Sequence, residues 1–267
     1  MRNSCLLLIF IVFIFLTGGN CCFGDSLSGV IQKEKYVEQD KTGAVIDILT
    51  GKPVANATVS LPSQGISSQT DENGQFCFDS DLKGPAILSV KAGGYKPFSL
   101  TVNKDKLSKA LILGISKESG NELVIDSGIH HLGDNNFSSD SANAGDFRSQ
   151  ASGSYFSKKF YVKSFAKNRD IILKIGSVIG VDTAIARKLG QNSIINSFSS
   201  PTIIYLNSKK VGEIKINGDN QEIIIAGQFL IPDNYNQITV ETGRNLLSTR
   251  YVDYDDMEFM NLILEFK

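Results

Sequence analysis

The chain has 267 residues, of which 42% are hydrophobic and 21% are charged, so it can form one or two domains with cores of their own. Its 27 basic and 28 acidic residues leave a formal net charge of -1. This balance gives no basic excess for nucleic acid or for an anionic membrane surface, and neither is expected as a partner.

The first 24 residues have the pattern of a secretory signal peptide. Arg2 precedes the apolar run Leu6–Leu16, which is shorter than the roughly 20 residues that span a bilayer. We therefore predict a signal peptide over residues 1–24, a secreted, periplasmic or cell-envelope location, and no membrane span after signal cleavage. The alternative is a lipid anchor at Cys21 or Cys22, although neither is preceded by the small residue that lipidation requires.

The residues after the signal peptide form a polar stretch with mixed charge and no apolar period. Residues 25–40 are therefore predicted to be a linker. Three of the four cysteines lie in or beside the signal peptide, which leaves Cys77 alone in the mature chain. A single cysteine cannot form an internal disulfide, so a disulfide-based scaffold is excluded.

From Lys41 onward, short apolar runs alternate with turn residues at intervals of about eight to twelve positions, a pattern typical of an all-β sandwich. The sequence "TGKPV" (50–54) places glycine and proline at a turn. Asn73 and Gly74 form the dipeptide favoured by tight hairpins, so we predict a hairpin there. The alternation in "GQFCF" puts Phe76 and Phe78 on one face of a strand.

Three segments of this region carry a family resemblance: "GAVIDILTGKPVANATVSL", "SQTDENGQFCF" and "LSVKAGGYKPFSLTV". Together they resemble the carboxypeptidase regulatory-like domain. The resemblance implies a seven-stranded, transthyretin-like β-sandwich over residues 41–116. It also implies a structural or docking module without catalytic activity.

Residues 117–122 are polar and are predicted to be a junction. Residues 123–267 contain longer apolar runs that predict a second β-rich domain, about twice the size of the first. Residues 183–197 could hold either one short helix, for which Gly190 is a suitable stop, or an excursion between strands.

Three segments of the second region also carry a resemblance: "IIYLNSKKVGEI", "FLIPDNYNQITVETG" and "YDDMEFMNLILEF". Their order is similar to that of galactose-binding-like jelly rolls and carbohydrate-binding modules. The resemblance implies an all-β chain in which a larger jelly-roll β-sandwich follows the first sandwich. It also implies a carbohydrate, such as a cell-surface glycan, as the ligand.

The segment "HHLGDNNFSSDSANAGDF" (130–147) is the least ordinary part of the chain, and it could be a metal cradle, a ligand loop or a polar bridge between two domains. It contains both histidines, but adjacent residues of a strand point to opposite faces, and no cysteine pair completes a zinc site. Ser139 and Gly145 occupy the positions where an EF-hand needs glycine and glutamate, so an EF-hand is excluded.

Resemblance to the jelly rolls implies a structural calcium where an early loop meets the last strand. The predicted ligands are Asp134, Asn136, Ser138 and Asp146 from the loop, with Asp256 and Glu258 from the last strand. The alternative is that these residues cluster because aspartate, asparagine and serine suit turns.

A sugar site needs an aromatic platform and polar side chains. The chain has no tryptophan, so tyrosine would supply the platform. The candidate ligand-binding residues are Arg148, Gln150, Tyr155, Tyr235, Tyr251 and Tyr254. Each tyrosine could equally be a core or strand-surface residue.

No catalytic residues are assigned. The two histidines are adjacent, and no G-x-S-x-G motif is present. The acids of "DYDDMEF" could form a hydrolytic pair, but turns and strand ends explain them equally well. The sequence predicts an exported, non-enzymatic protein that binds carbohydrate through its jelly roll, with calcium. The alternative is a structural or adhesive cell-envelope protein with a protein partner and no sugar ligand.

Overall fold

The computed structural model of the protein describes residues 42–78, 84–107, 110–164 and 169–267. The predicted signal peptide and linker lie outside these residues. Within them the chain is all-β, as predicted, and the α-helices are limited to α1 (Lys104–Leu107) and α2 (Ala184–Lys188). In these ranges no helix has the length and apolar character needed to cross a membrane.

Two sheets form the first sandwich. Its strands are β1 (Thr42–Asp47), β2 (Thr58–Leu61), β3 (Ile66–Gln69), β4 (Gln75–Cys77), β5 (Ala86–Lys91), β6 (Phe98–Val102) and β7 (Leu111–Ile115). One sheet has the order β4-β1-β7 and the other β3-β2-β5-β6. β1 and β7 are parallel, and the other pairs are antiparallel. The predicted shared face of Phe76 and Phe78 is confirmed, since both rings are buried in the core and meet edge to face at 5.4 Å.

The predicted hairpin at Asn73 and Gly74 is wrong. The turn exists, because Gly74 adopts φ 72° and Asp71 Oδ1 accepts hydrogen bonds from the backbone of Asn73 and Gln75 at 2.9 and 2.7 Å. However, β3 and β4 belong to different sheets, so the turn carries the chain from one sheet to the other.

Eight further strands form the second sandwich within the described residues. They are β8 (Glu122–Leu132), β9 (Tyr155–Val162), β10 (Asp170–Ile179), β11 (Thr202–Leu206), β12 (Lys209–Ile214), β13 (Gly218–Ala226), β14 (Asn234–Glu241) and β15 (Met257–Phe266). The two sheets have the orders β8-β15-β10-β13 and β9-β14-β11-β12, and all pairs are antiparallel. Except at the β11–β12 hairpin, each strand is followed by one in the other sheet. This arrangement is a jelly roll.

Apolar side chains from both sheets fill the space between them. The core includes Leu173, Ile204, Val240 and Phe259, all fully buried. The β11–β12 hairpin turns through Asn207 and Ser208, which have φ 50° and 65°, as a two-residue turn of type I′ requires. Of the two alternatives for residues 183–197, the short helix is present as α2, and Gly190 follows it with φ 73°.

A bulge changes which residues of β15 face the core. Asn261 adopts φ 62°, and the register of β15 against β8 shifts beside it. Leu262 therefore packs in the jelly-roll core, while Met260 faces the first sandwich. Gly176 of β10 lies against Asn261, because a Cβ at 176 would lie 2.9 Å from that residue's Cβ and would collide with Ser99 Oγ.

The two sandwiches contact each other directly. Ile87 of β5 is fully buried against Ile179 and Met260 of the jelly roll. Beside this apolar patch, Asp219 Oδ1 accepts hydrogen bonds from the backbone N–H of Thr101 at 2.8 Å, from its hydroxyl at 2.8 Å and from Ser177 Oγ at 2.7 Å. The interface therefore has an apolar centre and a hydrogen-bonded margin.

Candidate functional site

Three loops meet at one end of the jelly roll because alternate connections of the fold emerge at the same end. They join β8 to β9, β10 to β11, and β14 to β15. Asn136 Nδ2 donates to Asp253 Oδ1 at 3.2 Å, and the backbone N–H of Leu246 donates to the Phe198 carbonyl at 3.2 Å. These hydrogen bonds link the last of the three loops to each of the other two.

The loops surround a cavity of about 210 Å³. Aromatic rings, amides, hydroxyls and carboxylates line it: Asn136, Phe137, Ser138, Ser141, Asp182, Ile194, Ser197, Phe198, Ser199, Asn245, Tyr251, Asp253, Tyr254, Asp255 and Asp256. We call this space the end cavity. None of these lining residues is a lysine or arginine, and four of them are aspartates.

Five of the residues predicted from sequence line the end cavity: Asn136, Ser138, Tyr251, Tyr254 and Asp256. A sixth, Asp134, holds the start of the β8–β9 loop against the segment that precedes β15. Its Oδ1 accepts from the Asn136 backbone at 3.1 Å, and its Oδ2 accepts from the Tyr254 backbone at 2.9 Å. Both oxygens of Asp134 thus shape the backbone.

Asp146 and Glu258, which were predicted as metal ligands, do not line the end cavity. Asp146 lies against Gly84 of the first sandwich, where a Cβ would approach its Oδ1 to 2.7 Å. Glu258 is buried beside His131 and accepts from Ser149 Oγ at 3.3 Å. Burial raises the pKa of Glu258, and the nearby His131 charge opposes this rise.

Four predicted ligand-binding residues also lie outside the end cavity. Tyr155 and Tyr235 are 63% and 67% exposed on β9 and β14, in the sheet opposite β15. The Tyr235 ring meets that of Tyr161 at 5.4 Å. Arg148 and Gln150 are exposed in the β8–β9 loop. The predicted tyrosines therefore divide between the end cavity and the face of a sheet.

Three buried aspartates, Asp182, Asp255 and Asp256, lie side by side at the wall of the end cavity. The backbone N–H of Asp182 donates to Asp255 Oδ2 at 3.0 Å, and Asp182 Oδ1 accepts from the Ala142 backbone at 2.8 Å. Burial raises the pKa of Asp182, and it raises the pKa of Asp255 well above the ordinary value. The neighbouring Asp182 charge raises the pKa of Asp255 further, and Asp256 acts on both in the same direction.

His131 holds Asp256, the third of these aspartates, in place by a hydrogen bond. Its Nδ1 donates to the Ser149 carbonyl at 2.7 Å, and its Nε2 donates to Asp256 Oδ1 at 3.0 Å. Burial lowers the pKa of His131, but the hydrogen bonds to Asp256 and Ser149 outweigh this effect and the pKa is raised. His130 points the other way and packs against Phe156 and Phe259, so the predicted opposite orientation of the two histidines is confirmed.

The residues present fit a calcium ion only in part. Among the described residues, no group of three or more histidines, cysteines, aspartates or glutamates is arranged around one metal position. Asp256 Oδ2 is nevertheless a buried carboxylate oxygen that has no hydrogen-bond partner there. Calcium prefers such oxygens, but needs six to eight ligands.

The β8–β9 loop also bridges the two sandwiches, which was one of the three possibilities for the segment 130–147. The Phe147 ring meets the His131 ring at 4.7 Å and packs against the apolar patch around Ile87. Asp146 lies beside Gly84. The bridge is thus partly apolar, and it connects the end cavity to the interface.

Sequence reasoning did not assign Asp182, Asn245 or Phe198 to a site. Asp182 follows β10 and precedes the α2 N-cap, Thr183, a position at which aspartate is ordinary. Only the pairing of the β10 and β15 strands places it beside Asp255. Asp253 and Asp255 belong to "DYDDMEF", which was noted only as a possible source of hydrolytic carboxylates.

Comparison with known proteins supports the resemblance of the first sandwich. Residues 41–125 match the family model of the CarboxypepD_reg-like domain, so the resemblance based on the motifs of this region is confirmed. The match extends into β8 of the jelly roll. Comparison with curated proteins gives no match.

Two solved structures show more distant likeness. A β-D-glucuronidase from Dictyoglomus thermophilum is 15% identical, with a TM-score of 0.27, over 55% of this chain and 29% of its own. The chain thus spans less than a third of that enzyme. A candidate carbohydrate-binding protein from Bacteroides uniformis is 10% identical, with a TM-score of 0.22, over 84% of this chain and 97% of its own. At these TM-scores neither likeness carries an argument about ligand.

Proposed function

We propose that the protein recognises a neutral carbohydrate through the end cavity of its jelly roll. The observation that carries the proposal is the composition of the cavity wall. Phe137, Phe198 and Tyr251 offer ring faces for sugar C–H surfaces, and Asn136 and Asn245 offer amides. The Tyr254 ring carries the Arg244 guanidinium over it, 5.3 Å from the ring centre. Tyr251 is 61% exposed, so its ring is open to a ligand.

The charge of the cavity supports a neutral ligand. Sugar hydroxyls can donate to the carboxylate oxygens of the wall, whereas an anionic ligand would meet the carboxylates of Asp253 and Asp256 with no lysine or arginine among the described lining residues. We therefore expect uronic acids and sulfated glycans to bind more weakly than neutral glycans of the same size.

A glycan array with neutral and acidic oligosaccharides tests the proposal. Tyr251→Ala should reduce binding of the neutral hits by about tenfold, the effect of losing one aromatic stacking contact. Tyr155→Ala and Tyr235→Ala are matched controls, because both tyrosines are equally exposed but lie on a sheet face. If these controls abolish binding and Tyr251→Ala does not, the site lies on that face.

Calcium belongs to the proposal as a structural ion at the Asp256 carboxylate. The support is the unpartnered Oδ2 of Asp256 beside Asp182 and Asp255. Thermal unfolding in calcium chloride and in a chelator should then differ, and Asp256→Asn should remove the difference. Equal unfolding temperatures for the original protein in both solutions would contradict the calcium part alone.

Export and the absence of catalysis complete the proposal. The sequence of residues 1–24 supports export, which cell fractionation with an antibody would test. The absence of catalysis is tested by incubating the glycan hits with the protein and assaying released reducing ends. Turnover that disappears in Asp255→Asn would overturn the non-catalytic assignment.

An adhesive role is the second candidate, with a protein instead of a sugar as the partner. The observation that favours it is a group of apolar side chains beside the end cavity, each more than half exposed: Ile195, Leu246, Leu247 and Val252. Leu246→Ser with Leu247→Ser would abolish partner binding in this case and leave glycan binding unchanged.

A further inference from the structure

A second cavity lies between the two sandwiches. Its volume is about 370 Å³, within the usual range of roughly 300–1,000 Å³ for small-molecule sites. The first sandwich contributes Lys96, Phe98 and Ser99 to the wall, and the jelly roll contributes Glu222 and Asn261. We call this space the interdomain cleft. It shares no lining residue with the end cavity.

Asn261 is the unusual residue of this cleft. It is only 2% exposed, yet neither its Nδ2 nor its Oδ1 has a hydrogen-bond partner among the described residues. The φ of 62° explains why asparagine is tolerated in the backbone at this bulge. It does not explain the side chain, because glycine would suit the same φ without burying an unpaired amide. Buried polar groups of this kind are rare and call for a partner.

The charges of the cleft are balanced. Lys96 Nζ lies 2.8 and 2.7 Å from the two carboxylate oxygens of Glu122. Lys174 Nζ contacts a carboxylate oxygen of Glu265 and lies 3.9 Å from Glu122 and 4.0 Å from Glu222. Both lysines are thus neutralised by glutamates, so the described lining residues offer no free positive charge to an anion.

The wall also has an apolar part. Phe98 is half-buried, Ile263 is almost fully buried and Ile48 is exposed, and all three line the cleft. A ligand that fits this wall needs an apolar face and hydroxyls that can both donate and accept. Adjacent hydroxyls suit an amide side chain in particular, because one can donate to Oδ1 while the other accepts from Nδ2.

From these observations we infer that the interdomain cleft binds a neutral sugar unit, and that the Asn261 amide, which is 2% exposed as it stands, turns toward the cleft to form paired hydrogen bonds with two adjacent hydroxyls. This site is separate from the end cavity, and the inference does not require that the end cavity bind carbohydrate. It requires the two sandwiches to stay in contact, since each contributes one wall.

The side-chain amide resonances of Asn261 in ¹⁵N-labelled protein provide the direct readout. They are assigned by their loss in Asn261→Gly, a change that keeps the positive φ accessible. The probes are the methyl glycosides of glucose, galactose, mannose, xylose and fucose, with sodium sulfate as the anionic probe. We expect saturable shifts of the Asn261 resonances with at least one glycoside and none with sulfate.

Affinity measured by calorimetry completes the test. Asn261→Gly should weaken binding of that glycoside by about tenfold, as expected for the loss of two neutral hydrogen bonds. Asn56→Gly is the matched control, because Asn56 has φ 57° in an exposed turn away from the cleft. Tyr251→Ala should leave this binding unchanged, which separates the cleft from the end cavity.

The inference is overturned if none of the glycosides shifts the Asn261 resonances, or if sulfate shifts them instead. It is also overturned if Asn261→Gly binds the glycoside as tightly as the original protein does. Loss of glycan binding on the array in Tyr251→Ala, with the Asn261 shifts intact, would support the two sites as independent.

Discussion

Asp219 is the residue through which the contact between the sandwiches can be tested most directly. One of its oxygens accepts three hydrogen bonds, two from Thr101 of the first sandwich and one from Ser177 of the jelly roll. Asp219→Ala removes the acceptor of all three donors. Asp219→Asn can keep an acceptor oxygen in the same place while it removes the charge and replaces Oδ2 by an NH2 group, so it is the matched control.

The three donors differ in the hydrogen-bond partners that remain to them in Asp219→Ala. Ser177 Oγ keeps its contact with Ser99 Oγ at 3.0 Å, and the partly exposed Thr101 hydroxyl can turn to water. The Thr101 backbone N–H is part-buried and cannot turn, and a donor left unsatisfied in a buried place costs about 1–3 kcal/mol. Adding about 1 kcal/mol for the lost hydrogen bonds to a charged acceptor, we expect Asp219→Ala to lower the free energy of unfolding by roughly 2–4 kcal/mol.

Urea unfolding followed by circular dichroism and tyrosine fluorescence measures this loss. We expect Asp219→Ala to separate the unfolding of the two sandwiches into two transitions, because their shared margin is weakened. Asp219→Asn should lose less than half as much. A single transition for Asp219→Ala, within about 0.5 kcal/mol of the original protein as for an ordinary surface change, would refute the reasoning.

Three further substitutions test the jelly-roll core and two buried ionisable residues, His131 and Asp255. Phe259→Ala removes a fully buried ring of the jelly-roll core and should lower the free energy of unfolding by about 3–5 kcal/mol, measured by urea unfolding. Because the pKa of His131 is raised, its contribution to the free energy of unfolding is complete below its unfolded pKa of about 6.5 and is lost as pH rises through the folded pKa. His131→Gln should therefore flatten the fall in stability above pH 6.5, measured by unfolding curves at a series of pH values. The pKa of Asp255 is raised by burial, so ionisation of this acid destabilises the fold as pH rises from about 4 through the folded pKa. Measured in chelator, Asp255→Asn should therefore gain stability relative to the original protein over that pH range. A difference in stability that stays constant with pH would contradict this assignment.

The sequence predicted local structure well because the signals for it are local. The alternation around Phe76 and Phe78 identified a strand and its buried face, and Gly190 marked the end of a helix. The same local signal failed at Asn73 and Gly74. Turn chemistry defines the bend of the chain, but it does not say which strands will pair, because pairing depends on contacts across the whole sandwich.

The candidate site was predicted only in part for a similar reason. Tyr251 and Tyr254 were candidates because tyrosine must supply the aromatic platform in a chain without tryptophan, and Asp256 was a candidate because the last strand resembles that of jelly rolls. Asp182 lies 73 residues from Asp255, and only the jelly-roll topology brings the two together. Asn261 gave no signal at all, since its importance depends on a bulge and on the packing of a second domain against it.

The position of β15 has a consequence for how the end cavity forms. This last strand lies between β8 and β10, and the segment just before it supplies Asp253, Asp255 and Asp256 to the end cavity. His131 and Asp256 are 125 residues apart in the chain, so their contact closes one of the longest loops in the fold. Closing a long loop costs more entropy than forming a local contact, and folds dominated by such non-local contacts fold slowly. We therefore expect the end cavity to be among the last features to appear during folding, and binding of the proposed ligand during refolding would test this.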